Sequence, residues 1–252
     1  MEKYICENVF VPLRSAPSHK SEMLSQVLFG EKYSIIDSAG HWYKIKTCFD
    51  DYSGWIDMDH LCHSPDTDGS GGNVITRSLS CFRPDGTRLV LEPGCEIYHP
   101  DFERKTFMLS RKTYTAGEEF TESIIRNDLS LSDTAMRFLN SPYIWGGRIP
   151  SGIDCSGFTQ LVYKLLGKAI PRDSRQQAEK GEIISFLEEA KAGDLAFFDN
   201  ERGVITHVGL ILAKGLIIHS SGRVKIDIID QQGIFRQGKY SHHLRLIKRM
   251  QS

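Results

Sequence analysis

Residues 143 to 167 read YIWGGRIPSGIDCSGFTQLVYKLLG, and this stretch decides the fold of the C-terminal half. Phe158, Leu161, Val162, Leu165 and Leu166 fall at i, i+3, i+4, i+7 and i+8. That spacing lines one face of an amphipathic helix, and Gly167 ends it. Cys155 stands just before the apolar stripe. A thiol at a helix N-terminus faces unpaired backbone N–H groups and the positive end of the macrodipole, and both favour the thiolate that attacks carbonyls. The plainer alternative is a small cysteine packed at the head of a core helix. Gly146 and Gly147, suited to close backbone approach, and the polar flanks Asp154 and Ser156 weigh against it.

Upstream, Ser132 is expected to cap a helix carrying Ala135, Phe138 and Leu139, ended before Pro142. Downstream of GDLAFFD, the runs THVGLILA and GLIIHSS predict an antiparallel hairpin. A three-residue loop Ala213-Lys214-Gly215 pairs Leu212 with Leu216. That register sets His207 opposite Ser221 and makes His219 its diagonal neighbour on the same face, roughly 7–8 Å away. A two-residue turn would split the histidines between faces unless a bulge intervened. With Cys155 as nucleophile, His207 is the candidate base and His219 the group that orients it. A zinc site built from the same three residues is disfavoured, because no fourth ligand is specified and Cys155 has no close ligand neighbour.

Residues 4 to 63 alternate short β-type runs (VFVPLRSAP, QVLFGEKYSIID, HWYKIKT, YSGWIDMDHL) with turn residues, the texture of a small barrel. SPDTDGSGG, residues 64 to 72, is a linker by composition. Residues 73 to 130 repeat the β texture more raggedly, with turn signals at RPDG, EPG and TAGE. The expected layout is therefore a barrel at 1–64, a linker at 65–72, a second, divergent barrel at 73–130 and an α+β domain at 131–252.

The chain has 252 residues, 40 % of them hydrophobic and 25 % charged, with a formal net charge of -1. No basic field points to nucleic acid or an anionic membrane. MEKYICENVFVPLRS has no apolar run of signal-peptide length, so a cytoplasmic location is expected. Six cysteines without a C-x-x-C pair fit reduced thiols, not a disulfide scaffold or structural zinc, and no cofactor or metal is implied.

YIWGGRIPSGIDCSGF, PRDSRQQA, GDLAFF, THVGLIL and IIHSSG occur in the order and approximate spacing of the NlpC/P60 family, so residues 131 to 252 resemble that family. The resemblance implies a papain-like catalytic domain with Cys155 as nucleophile, His207 as base and His219 orienting it. It implies that Tyr143 stabilises the oxyanion together with the backbone N–H of Cys155. Packing in the core is the plainer reading for the aromatics here, more so for Trp145 than for Tyr143.

VPLRSAPSHKSEMLSQVLFGE with DDYSGW resembles the bacterial SH3-type domain attached to a subset of these enzymes. There the domain covers one end of the cleft, and a tyrosine joins the residues flanking the cysteine in recognising a free N-terminal amine. The matching residues are Tyr52, Asp154 and Ser156, with Glu22 and Ser174 as weaker matches. Trp55 of the same motif is expected in the barrel core.

The implied substrate is a murein tripeptide or tetrapeptide with a free L-Ala, cleaved between D-γ-Glu and the diamino acid. An exported endo-acting wall hydrolase and a wall-binding protein with an inactive peptidase domain are the alternatives, and acyl transfer to an amine instead of water is a third.

Overall fold

The computed structural model describes residues 2–60, 71–124 and 130–250. Most of the expected linker, and Cys62, lie outside the described residues. The chain divides into two compact units, Met1–Asn127 and Asp128–Ser252.

The N-terminal unit is mostly β. Its first sheet comprises β1 (Tyr4–Ile5), β2 (Phe10–Arg14), β3 (Met23–Leu28), β4 (Lys32–Ala39), β5 (Trp42–Thr47) and β6 (Ser53–Asp57), in the order β1-β4-β5-β6-β2-β3. Leu13, Val27, Tyr33, Ile45 and Ile56 fill its core. The run QVLFGEKYSIID forms two strands, because Gly30 takes φ +81 and turns the chain between β3 and β4. Trp55 is half-buried; the barrel's buried tryptophan is Trp42. Trp55 sits on β6 between the inward-facing Gly54 and Ile56, so strand alternation turns its side chain away from the core.

The second sheet comprises β7 (Asn73–Val74), β8 (Leu79–Phe82), β9 (Arg88–Leu91), β10 (Glu96–Asp101), β11 (Thr106–Leu109) and β12 (Lys112–Ala116), in the order β7-β10-β11-β12-β8-β9. Counted from its own first strand, this sheet repeats the strand order of the first. A short helix, α1 (Phe120–Ile124), follows. The two sheets share one unit because Phe29 packs edge-on against Phe107 and Tyr114 at 6.3 and 5.5 Å, and Tyr98 donates a hydrogen bond to the Gly30 carbonyl at 3.0 Å. A Cβ at Gly30 would sit 2.0 Å from the Glu96 carbonyl oxygen, so this junction admits only glycine.

The C-terminal unit opens with α2 (Leu131–Met136). Its cap is Ser130, two residues ahead of the expected Ser132: Ser130 Oγ accepts from Asp133 N–H at 3.0 Å and donates to the Asp133 carboxylate at 2.8 Å. Asp133, three residues on, completes a reciprocal cap that Ser132 has no partner to match. The hairpin β13 (Arg148–Ile149) and β14 (Gly152–Ile153) leads directly into α3 (Cys155–Leu165). Every residue of α3 is buried, beyond the single apolar face that its periodicity predicts, and Gly167 at φ +77 follows its end. A one-turn helix, α4 (Ser174–Ala178), and β15 (Glu182–Ile184) come next.

The remaining strands are β16 (Leu195–Asp199), β17 (Ile205–Ala213), β18 (Leu216–Ser221), β19 (Arg223–Ile229), β20 (Gly233–Arg236) and β21 (Lys239–Arg249). They run antiparallel in that order, and β21 pairs back onto β20 while also bonding β16 and β15. Strands β16 to β21 therefore close on themselves around Ala196, Phe198, Ile211, Ile217, Ile229, Ile234 and Ile247. Helix α3 packs on β17 and β18. Among the described residues, no helix is long and apolar enough to cross a membrane.

Candidate active site

The β17–β18 hairpin brings the histidines together by a different turn from the expected one. Leu210 pairs with Ile218 and Ile211 with Ile217, as the three-residue loop requires, but Ala213 then pairs with Leu216 across a register shift. The turn is thus the two-residue Lys214-Gly215, and a bulge at Leu212 restores the parity that such a turn would otherwise break. His207 and His219 share a face, with Nε2 of His207 2.7 Å from Nδ1 of His219. Gly209 makes room for this: a Cβ there would lie 2.9 Å from that of His219.

Cys155 begins α3 and is 7 % exposed. Helix α3 packs on β17, and the backbone N–H of Val208, the residue after His207 on that strand, favours the thiolate of Cys155. Burial pushes the Cys155 thiol up to about 12, and Asp154 adds to this. The N–H groups of Val208 and Ser156 and the charge of Arg172 oppose the rise without overcoming it. The helix-terminal N–H of Ser156 therefore acts as the sequence suggests, but desolvation outweighs it.

His207 is held well below its ordinary value, first by burial and then by His219, His242 and Lys225. Both directions favour a neutral thiol and a neutral imidazole, which suits base-assisted attack over a preformed ion pair.

His219, fully buried, is lowered to about 4 by burial, with Asp227 opposing through a hydrogen bond and its charge. Its Nε2 lies 3.0 Å from Asp227 Oδ2. His242 of β21 stacks on His207 with ring centroids 4.2 Å apart.

Tyr143 is half-buried; burial, then Cys155 and Asp154, raise its phenol, so it stays protonated and able to donate. Trp145 is 58 % exposed and is not a core residue. It occupies the turn before β13, where Gly146 at φ +76 redirects the chain.

Asp154 and Ser156 are buried around Arg172, itself 1 % exposed. Arg172 donates from Nη2 to Asp154 Oδ2 at 2.6 Å, and from Nη1 to Asp154 Oδ1 at 3.0 Å and Ser156 Oγ at 2.9 Å. The same carboxylate accepts from Gly146 N–H at 2.8 Å and from Gly157 N–H at 2.7 Å, which caps α3. Ser174 opens α4, half-buried, and Gln177 of that helix is buried between the Ser156 and Pro171 carbonyls.

Tyr52 and Glu22 belong to the N-terminal unit. Tyr52 follows Asp51, whose φ is +57, and its N–H donates to Thr47 Oγ1 at 3.0 Å; Glu22 is exposed just ahead of β3. Also in that unit, His41, Asp57 and Asp59 have ligand atoms within 4.8 Å of one another and could face a divalent cation. His41 already pairs with both carboxylates, and His19 with Asp57, so the cluster is satisfied as it stands.

Sequence reading missed Asp227, Arg172, His242, Gln177 and Gly209. Two of these had a signal. Carrying the register arithmetic one hairpin further, around Gly222, places Asp227 diagonal to His219, and Arg172 belongs to the PRDS motif from which only Ser174 was read.

A sequence profile of the NlpC/P60 family matches residues 140–245, and one described as the bacterial dipeptidyl-peptidase Sh3 domain matches residues 13–61. A Bacillus subtilis protein named gamma-D-glutamyl-L-lysine dipeptidyl-peptidase is 30 % identical over 214 residues, which cover 78 % of this chain and 71 % of that one. The chain belongs to the NlpC/P60 family.

A Bacillus cereus protein of the same name is 27 % identical over 229 residues, covering 81 % of this chain and 68 % of its own. The crystal structure of an NlpC/P60 family protein from Bacillus cereus superposes with a TM-score of 0.83 over 98 % of this chain and 99 % of that one; at 21 % identity this speaks for the fold alone. The protein is thus an NlpC/P60 cysteine peptidase, with a mostly β, SH3-like N-terminal region ahead of a catalytic domain of few helices.

Proposed function

We propose that this NlpC/P60 peptidase hydrolyses the bond between D-γ-Glu and the diamino acid of short murein peptides that carry a free N-terminal L-Ala. The observation that carries the reading is the joined pair His207 and His219, on strands packed against the helix that Cys155 begins, in a chain whose N-terminal region matches a dipeptidyl-peptidase SH3 profile. The relatives' names point to the same bond.

In this mechanism His207 takes the Cys155 proton as the sulfur attacks the γ-carbonyl carbon. The Tyr143 phenol and the Cys155 N–H stabilise the oxyanion. His207 returns the proton to the departing amine, which leaves a thioester. Water, deprotonated by His207, then releases the acyl group and restores the thiol.

Recognition of the free amine is assigned to Tyr52, Asp154 and Ser156, with Glu22 and Ser174 assisting. Asp154 is already bonded by Arg172 and by the N–H groups of Gly146 and Gly157, so its part in the reading is to hold the residues around the cysteine in place. The assignment of Tyr52 rests on the DDYSGW resemblance. A role in recycling murein peptides inside the cell belongs to the same reading.

Mass spectrometry of products from L-Ala-γ-D-Glu-diaminopimelate and its N-acetylated form tests it. The free peptide should give L-Ala-D-Glu and diaminopimelate, and the acetylated one should remain intact. Equal rates on both would remove the amine pocket, and cleavage of intact wall peptides alone would favour an endo-acting wall hydrolase.

A further inference from the structure

Asp227 sits on β19 opposite Ile217, while its neighbour two residues back, Lys225, faces His219. It is therefore diagonal to His219, the relation that His219 bears to His207 across the preceding strand pair. Two diagonals across three strands make a continuous chain of polar atoms, from Asp227 Oδ2 through His219 to His207 Nε2, with links of 3.0 and 2.7 Å.

Other groups also face this carboxylate. Lys225 Nζ on the same strand and Arg236 Nε on β20 each lie 3.8 Å from it. Those separations are ion-pair contacts beyond hydrogen-bond length, whereas the imidazole is within it. His219 is the partner that the carboxylate orients. On the far side, His242 of β21 covers His207 and meets His219 edge-on, with centroids 5.8 Å apart.

The chain has a direction because a carboxylate has no hydrogen to give. The shared hydrogen therefore belongs to His219 Nε2. A neutral His219 then has a bare Nδ1, which can only accept, so the hydrogen between the rings belongs to His207 Nε2. A neutral His207 is left with Nδ1 bare.

We propose that Asp227 is a positioning residue which, acting through His219, holds His207 in the tautomer whose Nδ1 is free to take the Cys155 proton. Without the carboxylate the two rings can flip together into the mirror arrangement, with a hydrogen on His207 Nδ1 and no base facing the thiol. The inference rests on the reading of Cys155 and His207 as nucleophile and base.

The test uses the full chain with 15N-labelled histidine, long-range 1H–15N spectra and kinetics on L-Ala-γ-D-Glu-diaminopimelate. Wild type should show both His207 and His219 protonated at Nε2. In Asp227→Asn, whose amide can present N–H₂ to the ring, both tautomers should shift toward Nδ1–H. Its kcat should fall about 10- to 100-fold, less than the roughly 10⁴ seen when the acid contacts the base directly, with KM within about twofold. Both limbs of the kcat/KM pH profile should move to lower pH, because removing an anion weakens proton binding nearby.

A wild-type His219 protonated at Nδ1 overturns the proposal with no variant needed. So does Asp227→Asn with wild-type tautomers, rate and limbs. The spectra need no substrate, so failure of the substrate reading leaves this test standing, while full activity in Cys155→Ala removes the catalytic reading whatever the spectra show.

Discussion

Arg172 meets Asp154 through both terminal guanidinium nitrogens, at 2.6 and 3.0 Å, in a site where neither side chain is more than 8 % exposed. The pair holds the residue before the nucleophile and, through Ser156 Oγ, the residue after it. Removing the cation leaves a buried carboxylate served only by neutral donors, the N–H groups of Gly146 and Gly157 and the Ser156 hydroxyl. Arg172→Leu should therefore destabilise the protein by about 3–5 kcal/mol. Arg172→Lys keeps the charge but loses the fork, and should cost less stability while still impairing activity. Urea denaturation of both variants checks this; an Arg172→Leu midpoint equal to wild type would contradict it.

Gly209 is needed for space, not for backbone conformation. Its missing Cβ leaves room for His219 Cβ and Ile217. Gly209→Ala should displace His219 and lower kcat at least tenfold, with far-ultraviolet circular dichroism unchanged. Wild-type kcat in a folded variant would show that β18 yields without disturbing the histidine pair.

Tyr143 should contribute to rate more than to binding. Its phenol remains protonated because burial and the neighbouring Cys155 and Asp154 disfavour the phenolate. Loss of one oxyanion donor costs about 10²–10³ in kcat elsewhere, and Tyr143→Phe should fall toward that range with KM nearly unchanged. A variant that changed KM alone would make Tyr143 a substrate contact.

The fold loses stability in acid through its buried histidines. His219 binds a proton at its ordinary 6.5 when unfolded but only at about 4 when folded, because burial opposes the charge more than Asp227 favours it. The unfolded chain therefore takes up the proton first as pH falls. The contribution of this group is complete above pH 6.5 and is lost as pH falls from there towards 4. His207, shifted the same way, adds to the loss. His219→Asn removes one titrating group, so its stability should fall less between pH 7 and pH 4.5. An identical decline in variant and wild type would assign the acid sensitivity to other residues.

The sequence made the catalytic centre legible where one local rule decided the outcome. The stripe from Phe158 to Leu165 and the stop at Gly167 define α3, and Cys155 follows from its start. The hairpin arithmetic found the shared face of His207 and His219 but missed the turn, since a bulge at Leu212 and a two-residue loop leave the same parity as a three-residue loop. Long-range partners were not legible. Arg172 reaches Asp154 across 18 residues, and nothing in the local pattern of either reports the other. Trp145 was read as packed because large aromatics usually are, whereas Gly146 and Gly147 turn the backbone there and leave the indole outside. The second sheet was ragged in sequence because its strands are short, yet its order repeats that of the first.

Intact-mass analysis of the enzyme, quenched in acid during turnover of L-Ala-γ-D-Glu-diaminopimelate, addresses the central chemistry most directly. The account predicts an L-Ala-D-Glu adduct as a thioester on Cys155, together with no adduct and no product from Cys155→Ala. Product formation by Cys155→Ala at the wild-type rate would contradict it.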